Sequence, residues 1–109
     1  MAKNIDVIVD EFIEAIEDSS AYQEYIKQQE KVRGHQDVID KINELRGLNL
    51  KLQTIQNSDQ AYDEQDRLEK RFDELSEDQR VFDFIEAENR FIGFYQEIYK
   101  RIMEHIQFI

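Results

Sequence analysis

A chain of 109 residues has room for one domain with a modest core. With 40% hydrophobic and 36% charged residues, no proline and three glycines, it lacks the punctuation that a sandwich or barrel of short strands requires. The net charge of -11 disfavours phosphate contacts and so direct nucleic-acid binding, and the absence of cysteine excludes disulfides, thiolate metal sites and cysteine nucleophiles.

The first helix is expected at about 5–18, with Asn4 as its N-cap. Ile5, Ile8, Val9, Phe12 and Ile16 share one face, and Asp6, Asp10, Glu14 and Glu17 lie opposite. Between Ile5 and Gln23 there is no Lys or Arg. The bland reading of this acidity is solubility; the sharper one makes Asp6, Asp10, Glu14 and Glu17 a candidate partner-facing surface for a cationic protein. Ser20 and Gln23 have capping-box spacing and predict a second helix at about 21–33, with Tyr22, Tyr25, Ile26 and Val32 inward. Gly34 suits the left-handed cap that follows.

The third helix is expected at about 36–56 on the stripe Val38, Ile39, Ile42, Leu45, Leu48, Leu52 and Ile55. Gly47 lies inside it; close helix approach, a bend and a neutral role all remain open. A loop from Asn57 leads to a fourth helix at about 61–75, whose face (Ala61, Gln65, Leu68, Phe72, Leu75) is sparse. Ser76 and Gln79 repeat the capping-box spacing and mark a restart. If that cap fails, the fourth and fifth helices merge.

The last stretch, about 77–108, is the most apolar. One row reads Val81, Ile85, Glu88, Ile92, Tyr95, Tyr99, Ile102, Ile106 and Ile109; a second reads Phe84, Ala87, Phe91, Phe94 and Ile98. Together they exceed the width of a two-helix seam. About 30 helical residues span roughly 45 Å, while a compact domain of this size has a radius of gyration near 13 Å. The helix should therefore protrude, bend or be covered by a second chain. Phe84, Glu88, Phe91, Phe94, Tyr95, Ile98 and Tyr99 are the candidate oligomer interface, although each also suits an intrachain core. Glu88 is the lone polar residue of its row, and it either snorkels to water or pairs with a Lys or Arg of another helix to fix register.

The sequence offers no catalytic constellation. The di-iron bundle motif Glu-x-x-His fails, because Val32 and Ile102 stand three residues before His35 and His105. His105 fits the last helical turn as a cation against the dipole, and His35 the cap after the second helix. No EF-hand loop, Gly-x-Ser-x-Gly elbow or phosphate-binding glycine loop occurs. No apolar run approaches the ~18 residues of a membrane span, and no signal-peptide core is present, so the expected location is the cytoplasm.

Phe12, Ala15 and Ile16, then Tyr22-x-x-Tyr25, then Ile85-Glu86-Ala87-Glu88 followed by Phe91, Tyr95, Ile98 and Ile102, resemble the YlbF/YmcA family of small helical bacterial regulators. The resemblance implies an all-helical, self-associating protein. It also implies contacts with family paralogues and a third protein, and influence on competence, sporulation and biofilm formation through a membrane-tethered ribonuclease acting on messenger RNA. Some members carry iron–sulfur clusters on cysteines; this chain has no cysteine, so no cofactor is carried over.

The expectation is an all-α, elongated antiparallel helical bundle, one domain over 1–109, whose long C-terminal helix returns antiparallel to the third and drives oligomerisation. Its expected role is that of a non-enzymatic regulator or scaffold whose partners are a second copy and other proteins, with no catalytic, cofactor-binding or metal residue. The alternative is a metal-binding or enzymatic helical bundle.

Overall fold

Capping chemistry divides the chain. The computed structural model describes residues 2–55 and 59–106. It contains α1 (Ile5–Asp18), α2 (Ser20–Val32), α3 (Gln36–Thr54), α4 (Asp59–Ser76) and α5 (Gln79–His105). Asn4 caps α1, its side chain accepting from the Asp6 and Val7 amides. The cap of α2 lies one residue earlier than expected: Ser19, not Ser20, accepts from the Tyr22 amide at 3.2 Å. Gln23 donates to the Glu17 carbonyl at 2.6 Å instead of closing a capping box on Ser20. After α2, Gly34 takes φ +82, the left-handed turn expected of it.

The restart before α5 is also displaced. Ser76 belongs to α4, where its hydroxyl donates to the Phe72 carbonyl at 2.9 Å. Asp78 is the N-cap of α5 and accepts from the Arg80 amide at 3.1 Å. A carboxylate is a better acceptor than a hydroxyl there because the helix N-terminus carries positive partial charge. The fourth and fifth helices are therefore separate. α3 ends at Thr54 and α5 at His105, short of the expected 56 and 108; Asn57 and Ile109 lie outside the described residues. A Cβ at Gly47 would meet nothing within 4 Å, so that glycine serves no close approach.

The core is built by the stripe of α3. Val38, Ile42, Leu45 and Leu48 are buried against Val32 of α2, Leu68 and Leu75 of α4, and Val81, Phe84 and Ile85 of α5. Cross-helix pairs give the directions. Arg90 reaches Ser20, and Tyr22 meets Phe91 while Tyr25 meets Phe84, so α2 and α5 are antiparallel. Asp37 and Lys41 approach Arg80 and Asp78, and Arg46 approaches Glu88 farther on. α5 thus runs alongside α3 in the same sense, and its antiparallel partners are α2 and α4. The expected antiparallel return against α3 is corrected here. α4 runs back along α3 and α5 runs back along α4, so these two reversals return α5 to the direction of α3.

The molecule is elongated and thin. It measures 61 × 41 × 17 Å with a radius of gyration of 18.6 Å, well above the ~13 Å of a compact domain this long. No helix among the described residues is long and apolar enough to cross a membrane.

Candidate protein-interaction surface

The first turns of α5 and its last turns live in different surroundings. Val81, Phe84, Ile85 and Ala87 are buried, and beyond them no residue of the helix is. Ile92, Tyr95, Tyr99, Ile102 and Met103 are exposed, Tyr95 at 54% and Tyr99 at 56%. Phe91, Phe94 and Ile98 are half-buried. α1 buries nothing at all. Its backbone approaches only α2 among the described helices, yet Ile5, Ile8, Val9 and Phe12 line one of its faces and are exposed. Phe12 of α1 and Ile98, Ile102 and Ile106 of α5 line an open groove between α1 and the end of α5, with Arg101 and His105 at its wall.

The candidate interface residues fall into three groups. Phe84, 5% exposed, is committed to the chain's own core. Phe91 and Phe94 continue an aromatic cluster, where the Phe91 ring stacks on Tyr25 at 5.5 Å and 4°. Tyr95 and Tyr99 face outward. Glu88 is paired within the chain: Arg46 of α3 donates to both its oxygens, Nε at 3.2 Å and a second nitrogen to the other oxygen. The Arg46 guanidinium also lies 5.5 Å from the Phe84 ring centroid. This two-pronged pair locks α3 to α5. Asp6, Asp10, Glu14 and Glu17 are all exposed.

Other ionic contacts are structural. Asp78 accepts from Lys41 at 3.1 Å and from Arg80 at 3.2 Å. Arg80, and then Lys41, hold its carboxyl down to about 2. Arg71 spans Glu44 of α3 and Glu74. Hydrogen bonding to Arg71 keeps the Glu44 carboxyl below its usual range, and these bonds raise Arg71. A polar groove between α2 and α5 contains Glu24, Gln28, Lys31, Asp83, Glu86 and Arg90. There the Gln28 amide holds Glu24 below its usual range, which suits an ionised carboxylate and not a proton donor. No group of three or more His, Asp or Glu able to hold a metal occurs among the described residues.

A family model described as control of competence regulator ComK, YlbF/YmcA, matches residues 6–107. The chain belongs to the YlbF/YmcA family. No curated protein and no solved structure gives a significant match. The family's description names a regulatory role. Of the residues that carried the resemblance, Tyr25 and Phe91 stack on one another, Ala87 is buried in the α2–α5 packing, and Phe12, Ile98 and Ile102 line the α1–α5 groove. The YlbF/YmcA pattern in this chain therefore marks both its core and its unpartnered face. Sequence periodicity missed Arg46, Lys41 and Asp78, because polar residues that pair across helices leave no trace in an apolar stripe.

Proposed function

We propose that this YlbF/YmcA-family chain is a non-enzymatic regulator that works by helical contacts with other proteins and with a second copy of itself. The observation that carries the reading is the apolar surface of α1 and of α5 beyond Glu88, left exposed by the chain's own packing. Exposed side chains of this size recover roughly 25 cal/mol per Å² when covered, and contiguous apolar patches mark interaction sites. Self-association uses the outward strip of Tyr95 and Tyr99. The family's description directs the regulation to competence control, and its resemblance-based extension is ribonuclease-dependent maturation of messenger RNA in the cytoplasm. In this role the chain brings proteins together and cleaves no RNA itself.

The experiment is deletion of the gene in the source cell, with mapping of messenger RNA ends. Wild-type protein should restore the processing pattern, and Tyr95→Glu/Tyr99→Glu should not, although its core is untouched. Unchanged transcript ends on deletion would contradict the ribonuclease link, and RNA cleavage by the purified chain would contradict the non-enzymatic reading.

A further inference from the structure

We infer that α1 and the end of α5 from two copies of this chain close on one another as a four-helix bundle, each copy filling the groove of the other. Resting on the reading of the chain as a protein that self-associates, this pairing names the helices that meet. Within one chain the two helices already form half of such a bundle. Arg90 reaches Ser20; eight residues before Ser20 stands Phe12, eight residues after Arg90 stands Ile98, and both line the groove. α1 therefore runs antiparallel to the end of α5. Their lengths also match: α1 has 14 residues, about 21 Å, and α5 beyond Glu88 extends about 25 Å.

Three observations select a second copy. The first is the width of the apolar face. In projection down the axis, the apolar arc at the end of α5 runs from Phe94 to Met103 and covers roughly half the circumference, where one packing layer needs a stripe of about 100°. The groove takes one flank of that arc, with Ile98, Ile102 and Ile106. Ile92 and Met103, 44% and 40% exposed, stand on the other flank and do not line it. A lone helix laid in the groove would leave that flank in water, whereas a second copy brings two helices and covers both. The second is area. Six large apolar side chains of α1 and six from Ile92 onward are between 38% and 67% exposed. Together they offer on the order of 800 Å² per partner, the size of a stable interface, and a symmetric pairing buries both sets at once. The third is charge. Arg101 is the one fixed charge lining the groove, and it is a cation. Every charged residue of α1 is a carboxylate, and none lies on the Phe12 face at helical spacing, so the chain's own α1 leaves that cation free for the partner. Asp6 and Glu11 border the apolar face and bring the matching sign when α1 lies beside α5 of the second copy. The same order sets the two acidic α1 helices on the diagonal of the bundle, apart from each other.

The test uses the full chain, light scattering at micromolar concentration, and introduced thiols, which are the only ones in a cysteine-free chain. Wild type should have the mass of two chains, with no further growth as concentration rises. Ile8→Glu/Phe12→Glu should reduce it to one chain of 13.2 kDa, with circular dichroism unchanged because α1 buries no residue. If that variant unfolds, Phe12→Ala takes its place and should raise the dimer dissociation constant about tenfold or more. Phe12→Cys and Tyr99→Cys chains, purified apart and then mixed, should be joined to each other by a bis-maleimide. Phe12→Cys chains that are joined only among themselves would place α1 against α1 and overturn the inference. A dimer that withstands the α1 variants but dissociates with Tyr95→Glu/Tyr99→Glu leaves self-association standing and overturns the inference alone. Growth beyond two chains overturns the closed pairing. A folded wild-type monomer refutes self-association and the inference with it.

Discussion

Arg46 and Glu88 show how far a single residue can be read. The position of Glu88 in an apolar row left two outcomes open, a carboxylate that snorkels to water or one that is paired, because a poorly hydrated carboxylate costs several kcal/mol when unpaired; the structure shows the second. The identity of the partner was hidden, because Arg46 lies 42 residues away on another helix. The two ends of the pair are unequal: Glu88 is 15% exposed and Arg46 42%. Removing the arginine strands a largely buried anion, while removing the glutamate leaves a cation that water and Asn43 can still serve. Arg46→Ala should therefore cost about 2 kcal/mol in chemical denaturation, and Glu88→Gln about 1 kcal/mol or less. Equal costs would contradict this asymmetry. Asp78 gives a pH-dependent counterpart. Its carboxyl is held down to about 2 in the folded chain, from an ordinary 3.8. A depressed folded value means that the stabilisation is complete above about pH 4 and is lost as pH falls towards 2. Asp78→Asn keeps a capping side chain but loses the charge. The melting temperature of Asp78→Asn should lie below wild type at pH 7, with the gap closing between pH 4 and pH 2.

At the scale of the element, periodicity located every helix and misplaced three of the starts: α2 begins at Ser20 and not 21, α4 at Asp59 and not 61, and α5 at Gln79 and not 77. A stripe reports which face is apolar; it says little about which of two neighbouring hydroxyls caps the turn. Ser19 and Ser20 are adjacent, and only the backbone geometry assigns the cap to Ser19, in extended conformation at φ -66 and ψ 149. Ser19→Ala should cost about 1 kcal/mol, the usual worth of a cap. Ser20→Ala loses only a contact with exposed Arg90, and its cost should stay within about 0.5 kcal/mol. Thermal melts of the two variants separate these cases. α5 teaches a related lesson. Its apolar rows continue from Val81 to Ile106 with Glu88 as their one polar member, but only the first turns have α2, α3 and α4 to pack against. The pattern reveals an apolar face and not what covers it. Helix direction was likewise illegible, since the shared sense of α3 and α5 follows from the connections and not from either stripe.

At the scale of the whole molecule, an all-helical and elongated protein was legible from the absence of proline, the scarcity of glycine and the length of the last apolar stretch. The same reasoning implied that this stretch exceeds what one chain can hide. The described structure leaves α1 without a buried residue and α5 exposed beyond Glu88, in a particle only 17 Å thick. A layer that thin, less than two helix diameters of about 10–12 Å each, has little depth in which to bury both faces of its outer helices. The shape and the exposed apolar area are the two observations behind the proposed covering protein. The direct measurement is the mass of the purified chain by light scattering at micromolar concentration. The account predicts at least twice the 13.2 kDa of one chain, reduced to one chain by Tyr95→Glu/Tyr99→Glu. A well-folded wild-type particle of one chain's mass across that range would contradict it.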